Sequence, residues 1–162
     1  MKMSGTPGSL IAETLVRDVL DRETGRAVIK VTSSSMSPRI EAGDAISIVR
    51  AEPRSLLPGD VVVFRSDEAG LVVHRLIWRN HPLGRPTHIF TKGDASGRLD
   101  RSVSIDRVVG RVEDIRRGEG HRSPTTTLDR VRCLLLAAGY GSKRWFRRRL
   151  TRKARQTRPE DR

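Results

Sequence analysis

A single cysteine, Cys133, stands among the 162 residues, which excludes an intramolecular disulfide and a multi-cysteine zinc site. Aromatic residues amount to only 4%, leaving few rings on which single-stranded nucleic acid would stack. Uncharged runs are short as well. The longest without Asp, Glu, Lys or Arg are ten residues, Met3–Ala12 and Cys133–Ser142, whereas a membrane-spanning helix needs about 20 mostly apolar residues. No transmembrane segment is expected. Met3–Ala12 is rich in Gly, Ser and Pro and does not read as a secretory signal. A cytoplasmic location is the expectation, with peripheral contact to membrane as its extension.

Acidic residues are in deficit, 19 against 32 Lys and Arg, for a net charge of +13. The imbalance is concentrated at one end. Lys143–Arg162 holds ten Lys/Arg against Glu160 and Asp161, a local +8. A basic tail of this kind suits nucleic acid, anionic lipid or an acidic partner, or is simply solvated.

The pattern divides the chain into four parts. Residues 1–26 contain an amphipathic helix over Ser9–Arg22, with Leu10, Ile11, Leu15, Val19 and Leu20 at helical spacing. Residues 27–115 carry short Val/Ile-rich runs at Ala27–Thr32, Asp44–Arg50, Asp60–Arg65, Leu71–Trp78, His88–Lys92 and Val108–Val112. Clusters such as Glu41-Ala-Gly-Asp44 and Leu57-Pro-Gly-Asp60 separate them. With no helices between the runs, a mainly β domain follows, an antiparallel sheet or partial barrel with N- and C-terminal helices. Residues 116–127 read as a linker. Residues 128–162 form a basic helical tail, with a helix over Leu128–Ala138 (Thr127 as cap, Gly139 as stop) and a second over Trp145–Ala154.

Three features carry chemistry. Ser33-Ser-Ser-Met-Ser-Pro38 follows a strand, and Pro38 ends the ladder after Met36. A small-residue loop plugged into the core by Met36 holds a hydroxyl in a fixed place. His74 interrupts Leu71-Val-Val-His-Arg-Leu-Ile-Trp78, sharing a strand face with Val72 and Leu76. His81, His88 and His121 sit among polar loops or at a strand start, and the four histidines lack ligand spacing, so neither metal nor cofactor is expected. Asp94 and Asp100 flank the loop after Phe90-Thr-Lys-Gly-Asp94, and either carboxylate suits the task of orienting an imidazole. Each feature alone also fits an ordinary turn or core residue.

Together, their order resembles the type I signal peptidases. Ser33-x-Ser35-Met36-x-Pro38 is similar to that family's nucleophile box. Ile40-Glu-Ala-Gly-Asp44 and Pro58-Gly-Asp60-Val-Val-Val-Phe64 resemble the next two turns. Val73-His74-Arg75 resembles the base-carrying strand of the endoplasmic-reticulum and archaeal-like subgroup, where His replaces Lys. Thr91-Lys-Gly-Asp-Ala95, Asp100 and Val109-Gly-Arg-Val112 resemble the last box and its closing strand. The resemblance implies Ser35 as nucleophile, His74 as general base, and the Ser33 hydroxyl with the Ser35 amide as oxyanion donors. It leaves the choice between Asp94 and Asp100 open, and it treats Lys92 as structural. It further implies cleavage after small residues, Ala above all. The chain departs from the family pattern at Ser34, where Gly is common, at Ala95, where Asn is frequent, and in lacking a membrane-spanning helix before the nucleophile.

The expected function is therefore a serine endopeptidase acting on a precursor or leader peptide. Imidazole accepts a proton near neutral pH, so cleavage is expected to rise with pH as the base loses its charge. The tail adds an anionic membrane surface as a second partner class. The alternative is a non-catalytic basic module that binds peptide or nucleic acid on the same β scaffold, with nucleic acid disfavoured by the scarcity of aromatics. A self-cleaving repressor-like protein shares the related sheet, but about 26 residues before the first strand are too few for its helical DNA-binding domain.

Overall fold

The computed structural model describes residues 25–80 and 86–139. Along them lie β1 (Arg26–Lys30), β2 (Ala45–Val49), β3 (Val61–Ser66), β4 (Gly70–Arg79), β5 (His88–Lys92), β6 (Val103–Ser104), β7 (Val108–Arg117) and β8 (Gly120–Arg122). A 3-10 turn at Ile105–Arg107 precedes β7, and helix α1 covers 127–139. The eight strands form one sheet in the order β1-β2-β7-β3-β4-β5-β6, with β8 paired to β7. Every pairing is antiparallel. The fold is mainly β, as the Val/Ile runs require. The helices expected at 9–22 and 145–154 lie outside the described residues.

The strand β3 explains why one run lacks alternation. Val61, Val62, Val63 and Phe64 are all buried. Val61 and Val63 join Met36, Ile40, Ile46, Ile48, Val112 and Ile115 on one face, while Val62 and Phe64 join Leu56, Leu76, Ile89 and Ile105 on the other. A strand covered on both faces must be apolar throughout. Each such side chain stabilises the fold by about 1.5–3 kcal/mol.

The Gly-Asp clusters make two turns of one design. Gly43 and Gly59 both have φ of 98°, a conformation that favours glycine. In each, the aspartate carboxylate accepts the N–H of the residue three positions earlier, Glu41 to Asp44 and Leu57 to Asp60, both at 2.8 Å. Both aspartates are buried and meet an arginine from the C-terminal part of the domain. Arg117 donates to both oxygens of Asp44 at 2.8 Å, and Arg130 donates to Asp60 at 2.9 Å. The hydrogen bonds from Arg117 hold the Asp44 carboxyl below the usual carboxylate range, against the opposing effect of burial. A depressed pKa contributes stability that is present above the unfolded-state value and is lost as pH falls through the folded one. We expect Asp44→Asn to lower the urea midpoint at neutral pH and to flatten its decline on acidification below about pH 4. Parallel midpoint–pH curves for the two proteins would refute this.

Two expected boundaries are corrected. The segment read as a linker from 116 begins inside β7 and turns back as β8, with Arg116 opposite His121. Its Gly and polar residues signalled a connection, but they belong to a hairpin that extends the sheet. The α1 cap is Thr126 rather than Thr127. The Thr126 amide and hydroxyl donate to Asp129 at 2.8 Å, and the Asp129 amide returns to the Thr126 hydroxyl at 3.2 Å. This reciprocal arrangement satisfies N–H groups that a helix start leaves without partners. Burial pushes the Asp129 carboxyl up, but those bonds together with the charges of Arg75 and Arg39 outweigh it and hold the carboxyl below its ordinary value.

Candidate active site

The serine loop departs from β1 and is closed by two backbone bonds. The Ser37 amide donates to the Ser34 carbonyl and the Ile40 amide to the Met36 carbonyl, both at 3.0 Å. Met36 and Ile40 are buried among β2, β3 and β7 residues, which anchors the loop between them. Ser35, one position before the anchor, is half-buried with its hydroxyl beside β4.

Residue parity on β4 decides what each side chain meets. His74 lies opposite Val62 on the face of Phe64, Val72 and Leu76, and its ring meets the Phe64 ring edge-on at 6.2 Å. From there His74 Nε2 is 3.2 Å from Ser35 Oγ, and Nδ1 is 2.6 Å from Asp100 Oδ2. The buried Thr91 of β5 donates its hydroxyl to the same Asp100 oxygen at 2.7 Å. The His74 and Asp100 side chains are 14% and 26% exposed, so the contact is only partly screened by water. Ser33 Oγ lies 3.5 Å from Ser35 Oγ, beside the same hydroxyl.

Asp94 goes elsewhere. The next residue on β4, Arg75, points to the opposite face and is buried. Its Nε and Nη2 donate to the two Asp94 oxygens at 2.8 and 2.6 Å. Its Nη1 donates to the carbonyls of Gly59 and Pro124 at 2.9 and 3.2 Å. Burial works against this charge, but the hydrogen bonds and field of Asp94 outweigh it and make the guanidinium more firmly protonated than usual. Of the two carboxylates left open by the sequence, Asp100 meets the imidazole and Asp94 meets Arg75. Lys92 donates to the Gly93 carbonyl at 3.4 Å.

The loop after β5 closes the arrangement through groups that sequence reasoning passed over. The Ala95 amide donates to the Ser35 carbonyl at 3.0 Å, and the Asp100 amide to the Thr91 carbonyl at 2.9 Å. Gly93 is required by space. A Cβ there would come within 2.7 Å of the Ser35 carbonyl oxygen and 3.1 Å of His74 Nε2. The available signal was the Thr-x-Gly-Asp order itself, which placed a small residue where two other segments converge. A cleft of about 680 Å³ opens along this site, lined in part by Phe64, Val72, His74, Asp100 and Val103. Among the described residues no group of three or more His, Cys, Asp and Glu is gathered as for a metal ion. His121 is paired with Asp114 at 2.7 Å, and His88 with the Thr87 hydroxyl at 3.1 Å. His81 lies outside the described residues.

Comparison with known proteins bears on this geometry at one level. No curated protein matches the chain. The family model described as Peptidase S24-like matches residues 9–82, a span that contains β1 to β4 together with Ser35 and His74. Over that span, a little under half of the chain, the chain is similar to S24-like peptidases.

Proposed function

We propose that the protein is a serine endopeptidase resembling the His-base signal peptidases, with Ser35 as nucleophile, His74 as general base and Asp100 as the carboxylate that orients it. The observation that carries this reading is the continuous series from the Ser35 hydroxyl through the His74 ring to the Asp100 carboxylate, at 3.2 and 2.6 Å. A serine hydroxyl is a weak nucleophile until a base removes its proton. Asp100 accepting from Nδ1–H leaves Nε2 free to take the Ser35 proton as Oγ attacks the scissile carbonyl carbon. The imidazolium then gives that proton to the departing amine as the C–N bond breaks. Water attacks the acyl-enzyme, losing its proton to Nε2, and Oγ departs with a proton from the same ring. The Ser33 hydroxyl and Ser35 amide are the proposed donors to the oxyanion.

The sheet supports an extended polypeptide as substrate. On one side of β4, Gly70–Ser66 to Arg75–Val61 pairs cover its first half, whereas β5 pairs only with Arg75–Arg79 on the other. Among the described residues, the stretch from Gly70 to His74 therefore has no strand partner on the β5 side. A peptide adding there as a strand would satisfy those backbone groups and bring its carbonyl to the site. A precursor or leader peptide with a small residue before the cut is the proposed substrate.

The test compares the protein with Ser35→Ala on peptides containing an Ala-x-Ala site, read by mass spectrometry. Cleavage by the first alone supports the reading; equal turnover by both overturns it. Asp100→Asn is expected to lower kcat by roughly 10²–10⁴-fold with KM little changed, because the amide favours the wrong imidazole tautomer. An unchanged kcat would remove Asp100 from the proposed set.

A further inference from the structure

The inner side of α1 is accounted for. Asp129, Cys133 and Leu136 line a cleft of about 430 Å³ shared with Pro38 and Asp94, and burial there pushes the Cys133 thiol up. The outer side is not. Leu128 is 75%, Val131 48%, Leu134 55% and Leu135 70% exposed. At 3.6 residues per turn these positions, with exposed Ala138, fall on one arc of the helix. Isolated exposed leucines are ordinary, but a contiguous apolar arc marks a surface that something covers.

We propose that the outer face of α1, together with the basic segment 143–162, docks on an anionic lipid surface. Charge argues for this occupant. The exposed Arg132 borders the arc, and the segment that follows carries ten Lys/Arg against two acidic residues. Trp145, Phe146 and Leu150 stand within that basic run. An apolar helix face lying in the interface gives weak membrane binding alone, and a polybasic stretch supplies the second signal that stable anchoring needs. Among the described residues no helix is long and apolar enough to cross a membrane. The proposal does not rest on the peptidase reading, since it assigns no role to Ser35 or His74.

The experiment sediments the full-length protein with vesicles of phosphatidylcholine alone and of phosphatidylcholine mixed with phosphatidylglycerol. Binding to the mixed vesicles only, weakened by salt, is expected. The double substitution Leu128→Ser/Leu135→Ser should reduce that binding by about tenfold or more, with circular dichroism and urea midpoint unchanged. Ser35→Ala should bind as well as the parent, which separates this result from any result on cleavage. Absence of binding overturns the proposal, as does binding that the double substitution leaves intact, because charge alone would then explain it. A dimer that the double substitution dissociates would assign the face to a second copy instead. A fall in the urea midpoint of the double variant would assign it to another segment of the same chain.

Discussion

Ser35→Ala is expected to lower peptide cleavage by about 10⁵-fold or more in kcat, leaving the urea midpoint nearly unchanged. The hydroxyl oxygen would form the bond to the substrate, and among the described residues no other hydroxyl is hydrogen-bonded to His74 Nε2. The fold should tolerate the loss, since Met36 and Ile40, not Ser35, anchor the loop in the core. His74→Ala should cost about as much, and the double variant little more, because a nucleophile without its base and a base without its nucleophile are equally idle. Additive losses in the double variant would indicate that the two groups do not act as a unit. Measuring kcat and KM separately matters, for the proposed peptide-binding edge of β4 is untouched and KM should stay within a small factor.

Asp94→Ala should destabilise the domain by about 3 kcal/mol or more, since it leaves the buried Arg75 guanidinium without its carboxylate. Against a total stability of about 5–15 kcal/mol for a small domain, that is a large fraction. The ion pair itself need not be strongly stabilising; the cost arises from an uncompensated charge beneath the sheet. Replacing both partners with apolar residues, as in Arg75→Met/Asp94→Leu, is therefore expected to recover part of the loss. Urea midpoints of the single and double variants decide the point, and a double variant no more stable than the single one would refute it. Activity should fall in the single variant too, because Asp94 precedes Ala95, whose amide holds the Ser35 carbonyl. A defect of that origin, unlike loss of Ser35, should be accompanied by the lowered midpoint.

Six strands were legible because apolar β-branched runs bounded by Gly, Pro and Asp have few other uses. His88–Lys92 coincides with β5, and the other five shift by a residue or so except at the end of β7. That strand was expected to stop at Val112 but continues to Arg117, because Asp114 pairs with β2 and Arg116 with both β2 and β8 in a ladder that their polarity conceals, with Glu113 at the bulge between. β6 and β8, of two and three residues, are too short for any periodicity to register. The cap of α1 was displaced by one residue for a similar reason. Three consecutive threonines offer the same chemistry, and only the reach to Asp129 selects Thr126.

For the site, residue order along the chain determined which kinds of groups were available: a serine in a pinned loop, an imidazole on a strand, and a pair of carboxylates near a glycine turn. It determined equally that Asp60–Arg65 would form a strand and that a helix would run from Leu128 toward Gly139, because those properties follow from local spacing. Tertiary structure alone decided that Asp100 faces the imidazole while Asp94 serves Arg75. His74 and Arg75 are neighbours in sequence, and the pleat sends them to opposite faces, so two similar carboxylates on one loop acquire different partners. It also decided that Gly93 must lack a side chain, since the constraint comes from Ser35 and His74, far away along the chain and close in space. Local pattern reports which face a residue takes; only closure of the sheet reports what that face meets.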